Sequence, residues 1–240
     1  MKQYLLRIVK KLIYWVKAFW QQNRHNLEVF VEINDYKKLL FNDETGKERY
    51  SLIPKEAENI CKKYPMEKCW EIATEFYSCE LYYIQMLGVY IMGIISYKHK
   101  AAYNFLKNKV SINPSWQVQE FLAMAFDTYC KNKGYESSLK TITEWLNNKN
   151  ENNRRAVIEG LRIWTKRPFF GDNPQKAIDI ITEYKTDKSE YVRKSAGNAL
   201  KDISKEYPDL VKNELKKWKL ETKEITQVYK LACKILDSKG

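Results

Sequence analysis

The feature that most constrains this chain is a helix-pair pattern that recurs three times after residue 110. In each copy, apolar residues recur at spacings of three and four, which is typical of one face of a helix. The copies align Val118-Gln119-Glu120, Arg154-Arg155 and Val192-Arg193-Lys194, placing Glu120, Arg155 and Lys194 35 and 39 residues apart. Two helices repeated at that period are typical of a HEAT-like solenoid. We therefore expect an all-α, HEAT-like helical-repeat solenoid, an α-α superhelix.

Turn-forming residues are scarce, with only 8 Gly and 6 Pro in 240 residues. An all-β fold needs frequent turns, so this scarcity favours long helices joined by short loops. Asn113-Pro114 and Asn173-Pro174 each combine a capping residue with a proline suited to a first helical turn. The predicted helices cover residues 3–22, 27–41, 54–64, 66–78, 80–95, 100–110, 115–131, 135–147, 152–166, 174–185, 189–206, 208–218 and 221–237, with a polar loop over 42–51.

No composition shift marks a second domain, so we expect a single HEAT-like repeat domain over 1–240. Residues 1–22 form its N-terminal amphipathic helix, which we expect to cover the first repeat. This basic helix, with Trp15 and Trp20, would also suit an anionic membrane surface, and direct DNA contact is a further alternative. Its lysines and arginine interrupt the apolar run, and no small-residue cleavage site follows. The sequence therefore predicts neither a membrane span nor a secretory signal.

The chain carries 42 Lys and Arg against 30 Asp and Glu, a formal net charge of +12. Such a surplus favours a polyanionic partner, either a nucleic acid or an anionic membrane. The five cysteines include no C-x-x-C pair, and only His25 and His99 could complete a zinc site. We expect no metal site, thiols in a reducing cytoplasm, and His99 as a solvated loop residue.

The alignment also predicts a basic groove. Two adjacent positions in each repeat would line the concave wall, and four of the six are cationic: Gln119, Glu120, Arg154, Arg155, Arg193 and Lys194. Cations along a groove neutralise phosphates, which drives nucleic-acid affinity. Glu120 breaks the row and lies one helical turn after Trp116, where an indole beside a carboxylate would suit a sugar or a cationic base. Asp127 shares that face as a weaker second carboxylate.

Several runs resemble the AlkD-type DNA alkylation repair proteins, which are HEAT-like solenoids. The resemblance covers about residues 110–237, is looser over 50–110 and does not extend to the N-terminal 40 residues. It rests on 115–120, Arg154-Arg155-Ala156-Val157, 192–201 and Tyr207-Pro208-Asp209-Leu210-Val211. It implies excision of N3- and N7-alkylated purines without flipping of the base into a pocket, and no cofactor.

The family's functional residues are only partly matched in this chain. The resemblance implies that Trp116 contacts the lesion's sugar and that Arg155 holds a phosphate. Glu120 stands where the family has Asp, Asn198 where it has a second Trp, and Lys201 where it has Arg. Glu120 extends one methylene further, and misplacement of about 1 Å can cost a hundredfold in rate. Asn198 lacks an aromatic face, and Lys201 lacks the bidentate fork of Arg.

The sequence therefore predicts a monomeric, cytoplasmic DNA alkylation repair protein that binds double-stranded DNA and hydrolyses the N-glycosidic bond of alkylated purines. The predicted catalytic residues are Glu120 and Trp116, and the predicted DNA-binding residues are Arg154, Arg155, Arg193, Lys194, Asn198 and Lys201. A non-catalytic member that binds DNA backbone or unusual DNA structures is the alternative. A scaffold that grips acidic proteins is a third class.

Overall fold

A computed structural model describes residues 33–42 and 45–236 of the chain. Within these ranges the helices are α1 (33–40), α2 (Ile53–Lys63), α3 (Met66–Tyr77), α4 (Tyr82–Ile95), α5 (Lys100–Asn108), α6 (Trp116–Lys133), α7 (Leu139–Leu146), α8 (Glu151–Trp164), α9 (Pro174–Glu183), α10 (Glu190–Ile203), α11 (Pro208–Leu215) and α12 (Lys223–Cys233). The predicted helix over 3–22 and the start of that over 27–41 lie outside the described residues.

The helices of the repeats form two layers. The longer helices α4, α6, α8, α10 and α12 pack side by side in chain order, and we call them the long-helix layer. The shorter helices α5, α7, α9 and α11 alternate with them along the chain and pack against them. We call these shorter helices the short-helix layer. This alternation is the helix-pair architecture of a HEAT-like solenoid, as the sequence predicts.

Buried aromatic and aliphatic side chains fill the space between the layers. Trp145 of α7 stacks on Phe126 of α6 with ring centroids 4.1 Å apart, and Trp164 of α8 lies 5.5 Å from Phe170. Large rings of this kind bury the apolar area that holds neighbouring repeats together. At one close approach between long helices, glycine removes the side chain: a Cβ added at Gly197 of α10 would lie 2.6 Å from Leu231 Cβ of α12.

Helix starts differ in detail from the sequence prediction. Helix α6 is capped by Ser115, whose Oγ accepts from Val118 N, and not by Asn113. Asn113 lies two residues earlier and accepts from Ser115 N at 2.9 Å. Pro174 does occupy the first position of α9, but the Asn173 side chain makes no capping bond and donates instead to Phe169 O.

The predicted polar loop over 42–51 contains a small hairpin. Strands β1 (Phe41–Asn42) and β2 (Lys47–Glu48) pair antiparallel, with Phe41 opposite Glu48. Gly46, at φ 61°, takes a left-handed conformation in the turn, which glycine adopts without strain. Two-residue strands are too short to leave an alternating pattern that sequence reasoning can detect.

His99 is not the solvated loop residue that the sequence predicts. It caps α5 by accepting from Ala102 N, its ring lies 5.2 Å from Trp70, and its Nε2 is 3.3 Å from Glu67 Oε2. The described cysteines form no disulfide, and burial raises the pKa of the Cys130 thiol. In the part of the chain that the structure describes, no helix has the length and apolar character needed to cross a membrane.

Candidate nucleic-acid interface

The four C-terminal long helices begin at one common edge of the protein. Each starts after a side-chain cap, and the caps are Ser115, Asn150, Ser189 and Thr222. Neighbouring repeats are bonded to each other at this edge. Asn150 Nδ2 donates to Ser111 O of the preceding loop, and Gln227 Nε2 in the first turns of α12 donates to Glu190 Oε1 at the start of α10. We call this the cap edge.

Counting from the caps shows that the sequence alignment was in register. Glu120, Arg155 and Lys194 are each the fifth residue after a cap, so they occupy equivalent positions on neighbouring helices. Gln227 is the fifth residue after Thr222 and completes the row. Sequence reasoning missed Gln227 because α12 lacks the paired cations used to align the other helices, although the Thr222 cap is a usable signal.

Arg155 and Glu120 lie at the centre of this row. The Arg155 guanidinium donates through Nη2 to Glu120 Oε1, and the same nitrogen is 3.7 Å from Glu159 Oε1. Tyr191 of α10 covers the guanidinium face at 4.4 Å. The Arg155 side chain is 6% exposed, whereas that of Glu120 is 44% exposed. The carboxylate is therefore held by Arg155 on one oxygen and remains open to solvent.

Trp116 begins α6, one helical turn before Glu120, and is 63% exposed. An indole left in water at a helix start buries little area within the protein, so packing does not account for its placement. The indole and the carboxylate thus share an exposed surface at the cap edge.

An open cleft of about 390 Å³ runs from Glu120 towards the other ends of the helices. It is lined by Tyr90, Glu120, Ala123, Met124, Asp127, Glu159, Gly160, Ile163 and Arg167, from α4, α6, α8 and the residues just after α8. Met124 and Ile163 in its wall are 39% and 40% exposed. The cleft therefore joins acidic groups to partly exposed apolar side chains.

Asp127 is held firmly at the far end of this cleft. Its Oδ1 accepts from Trp164 Nε1 at 2.7 Å and from the Tyr135 hydroxyl at 3.0 Å, while its Oδ2 lies 3.3 Å from Arg167 Nη2. A carboxylate whose two oxygens are both engaged has a structural role. The cleft thus offers Glu120 rather than Asp127 as the available carboxylate.

Two of the predicted DNA-binding arginines are placed differently from the expectation. Arg154 is buried, and its guanidinium binds both oxygens of Asp187 and the carbonyls of Asn148 and Lys149. Its contact with Asp187 raises the pKa of Arg154. The expectation that Arg154 lines a groove is wrong, because its nitrogens are consumed inside the protein.

Arg193 has the corresponding role in the next repeat. Its Nη1 donates to Asp187 O at 2.8 Å and to Lys188 O at 3.3 Å, and its Nε donates to Gln227. Gln119 likewise donates to Asn113 O at 2.7 Å. These side chains are all the fourth residue after a cap, and each holds the carbonyl of the residue six before it. This position clamps the preceding loop.

The remaining predicted cations lie on α10. Lys194 is exposed and 2.8 Å from Glu190 Oε1, and its hydrogen bond holds the pKa of Glu190 below the usual value. Lys201 Nζ donates to Asn198 Oδ1 at 3.2 Å, one turn apart on the half-buried face of α10. Their partners are surface groups, which water or a ligand displaces at little cost. Among the described residues, no group of three or more His, Cys, Asp or Glu side chains is arranged to hold a metal ion.

Comparison with known proteins places this geometry in a family. Residues 48–232 match the family model described as DNA alkylation repair enzyme. The structure of smu.31 from Streptococcus mutans UA159 is 49% identical, with a TM-score of 0.74 over 77% of this chain and 91% of that one. AlkD2 from Streptococcus mutans is 48% identical, with a TM-score of 0.76 over 78% and 90%.

A curated relative adds a shorter match. The uncharacterized protein YhaZ of Bacillus subtilis (strain 168) is 36% identical over 87 residues, 35% of this chain. This chain spans only 24% of the length of YhaZ. The family match covers most of the chain, including the Trp116–Glu120 surface and the whole row from Glu120 to Gln227. The chain therefore belongs to the DNA alkylation repair enzyme family.

Proposed function

We propose that this protein binds double-stranded DNA across its long-helix layer and hydrolyses the N-glycosidic bond of N3- and N7-alkylated purines. The observation that carries the proposal is the exposed pair of Trp116 and Glu120 at the cap edge, beside an open cleft. Family membership supports a role in DNA alkylation repair. We also propose that the protein is a cytoplasmic monomer and needs no cofactor.

Alkylation at N3 or N7 leaves the purine cationic, so the base is a good leaving group. Breaking the C1′–N bond returns its electron pair to the ring, and the base leaves neutral. The sugar left behind resembles an oxocarbenium ion, and stabilising that charge lowers the barrier. The free oxygen of Glu120 would provide this stabilisation, orient the water that adds to C1′ and take up its proton. The exposed indole of Trp116 would contact the sugar.

The cations around Glu120 would hold the DNA backbone. Lys194 and Lys201 are bound to Glu190 and Asn198 by contacts that phosphate oxygens replace easily. Arg155 would act differently, because it is buried between Tyr191 and two carboxylates. In this proposal Arg155 positions Glu120 and lends positive charge to a nearby phosphate without extending towards it.

A specific observation favours a second candidate function. Arg155, Lys194 and Lys201 each have a partner within the protein, and Glu120 itself is bonded to Arg155. Because Glu120 is bonded to Arg155, less of its charge is available to a reacting sugar, so the arrangement also suits a family member that binds DNA backbone or unusual DNA structures without excising a base.

One experiment separates the two candidates. Purified protein is incubated with duplex DNA containing N7- and N3-methylpurines, and free base is measured alongside DNA binding. Release of free base by the wild-type protein supports the hydrolase. Binding without release supports the second candidate. An affinity for duplex DNA that does not fall with salt contradicts both, because phosphate neutralisation makes affinity fall steeply with salt concentration.

A further inference from the structure

The cap edge carries a concentration of positive charge that the candidate site does not use. It contains the four loops that lead into long helices, at residues 109–115, 147–150, 184–189 and 216–222, and these loops hold seven lysines and two acids. The opposite edge comprises residues 96–99, 134–138, 165–173 and 204–207, with four Lys or Arg and three acids. The loops of the cap edge therefore carry a larger excess of positive charge than those of the opposite edge.

The two acids do little to offset these lysines. The Asp187 side chain is 7% exposed and committed to Arg154, so its charge is already balanced inside the protein. Glu221 is exposed and is the only carboxylate in the four loops that faces solvent. Glu214 pairs with Lys217, and Glu151 and Glu190 begin the helices that follow two of the loops. The compensation is therefore partial, and the exposed lysines of the loops still outnumber their exposed acids.

One lysine from each loop points into solvent without a side-chain partner among the described residues. These four are Lys109, Lys149, Lys188 and Lys219. They differ from Lys194 and Lys201, whose ammonium groups are bonded to Glu190 and Asn198. An unpaired ammonium group meets a phosphate without first breaking an internal contact.

Lys149 and Lys188 are held in the same way in successive repeats. Each immediately precedes a helix cap, and they are 39 residues apart, as Arg154 and Arg193 are. Arg154 Nη1 donates to Lys149 O at 3.0 Å, and Arg193 Nη1 donates to Lys188 O at 3.3 Å. The two arginines thus fix the loop backbone at each lysine, which reduces the conformational entropy lost when the lysine binds.

The spacing of these loops suits a duplex. Packed helices lie about 8–10 Å apart, so four successive loops span roughly 30 Å. DNA rises about 3.4 Å per base pair, so this length corresponds to about nine base pairs, close to one helical turn. A duplex that lies along the cap edge would therefore meet all four loops within about one helical turn.

We propose that Lys109, Lys149, Lys188 and Lys219 form a phosphate-binding track on the cap edge, which holds the DNA backbone beside the Trp116–Glu120 surface. The inference rests on the DNA-binding component of the proposed function and is independent of base excision. Lysine heads act as point charges and read no sequence, so the track binds duplex DNA of any sequence.

The test compares two double charge reversals in the full chain. K149E/K188E alters the track. K100E/K131E changes the net charge equally at the helix ends beside the opposite edge, where Lys100 begins α5 and Lys131 lies in the last turn of α6. Both are also exposed lysines without a side-chain partner among the described residues. Affinity for an undamaged duplex of about 20 base pairs is measured by fluorescence anisotropy over a series of salt concentrations. Circular dichroism and thermal melting verify that both variants fold.

We expect K149E/K188E to weaken binding about tenfold or more, and to reduce the log–log salt slope by about two, since each lost phosphate contact removes about one. K100E/K131E should keep the wild-type slope. Equal effects of the two variants would overturn the track while leaving the proposed function standing. Absence of duplex binding by the wild-type protein would overturn both. If K149E/K188E reduces the salt slope and the wild-type protein releases no base, the track is supported and the hydrolase is contradicted.

Discussion

Asp187 accepts both branches of the Arg154 guanidinium, with Nε–Oδ2 at 2.7 Å and Nη2–Oδ1 at 2.8 Å, across 33 residues of chain. Both side chains are 7% exposed, so the pair is buried between two repeats. Asp187 Oδ1 also accepts from Ser189 N, the cap of α10. This contact joins the start of α8 to the start of α10, so it fixes the geometry on which the cap edge depends.

We therefore expect Arg154→Ala to destabilise the fold by about 3–5 kcal/mol, because it leaves the Asp187 carboxylate buried without its partner. The measurement is urea unfolding followed by circular dichroism. The control is Lys149→Ala, an exposed neighbour whose loss should change stability by less than about 0.5 kcal/mol. If the Arg154→Ala protein is as stable as wild type but loses affinity for DNA, Arg154 is a DNA-binding residue after all.

The helix repeat and its period could be predicted from the sequence, because caps and apolar faces are local features. The role of Arg154 was not predictable in the same way. Consecutive residues on a helix point about 100° apart, so Arg154 and Arg155 face different surroundings. Both are buried, but only Arg154 binds Asp187 of the next repeat, and sequence separation hides that contact.

The candidate site was predictable to a similar extent. Trp116 and Glu120 lie one turn apart on α6, and the sequence spacing alone brought them together. The bond from Arg155 to Glu120 and the Tyr191 ring over Arg155 arise from packing between helices. The lysines at the cap edge were also missed, because they precede the helices and do not follow the helical period used in the alignment.

A second prediction concerns the close approach of α10 and α12. A Cβ at Gly197 would lie 2.6 Å from Leu231 Cβ and 3.0 Å from Val228 O, so the helices must separate to admit it. Gly197→Ala should therefore lose about 1–3 kcal/mol of stability, despite the better helix propensity of alanine. Thermal unfolding measures the change. Lys194→Ala, on the exposed side of α10, is the control and should melt close to wild type.

A third prediction concerns acid stability. Glu144 of α7 accepts from Lys107 and from the Tyr103 hydroxyl of α5 at 3.0 Å, and the hydrogen bond from Lys107 holds the pKa of Glu144 below its usual 4.5. A carboxyl whose pKa is lower in the folded state stabilises the fold above its unfolded pKa. That stabilisation is lost as pH falls below about 4.5, through the folded pKa.

Glu144→Gln should therefore flatten the decline of melting temperature at acidic pH and lower the melting temperature slightly at pH 7. The effect at neutral pH is small, because the Glu144 side chain is 46% exposed and solvent screens the ion pair. Melting temperatures from pH 3 to pH 7 for wild type and variant check this. If the two curves stay parallel over the whole range, the contact with Lys107 does not lower the pKa of Glu144.

The last prediction concerns Glu120, whose free oxygen carries the proposed chemistry. Glu120→Gln keeps the shape of the side chain and removes its charge, so base release should fall by about a hundredfold or more, as when one stabilising group is lost at a reacting centre. DNA affinity should stay equal or rise, because a negative charge has left a phosphate-binding surface. Glu151→Gln makes the same charge change at the exposed first residue of α8 and should leave base release unchanged.

Glu120→Asp gives the matched comparison, because it keeps the charge and withdraws the carboxylate by one methylene. The shorter side chain should loosen the bond to Arg155 and maintain or raise base release. Single-turnover release from N7-methylpurine DNA, with affinity measured in parallel, distinguishes these effects. If the Gln variant releases base at the wild-type rate, the reaction does not use this carboxylate. Asp127 would not replace it, because Trp164, Tyr135 and Arg167 already engage both its oxygens.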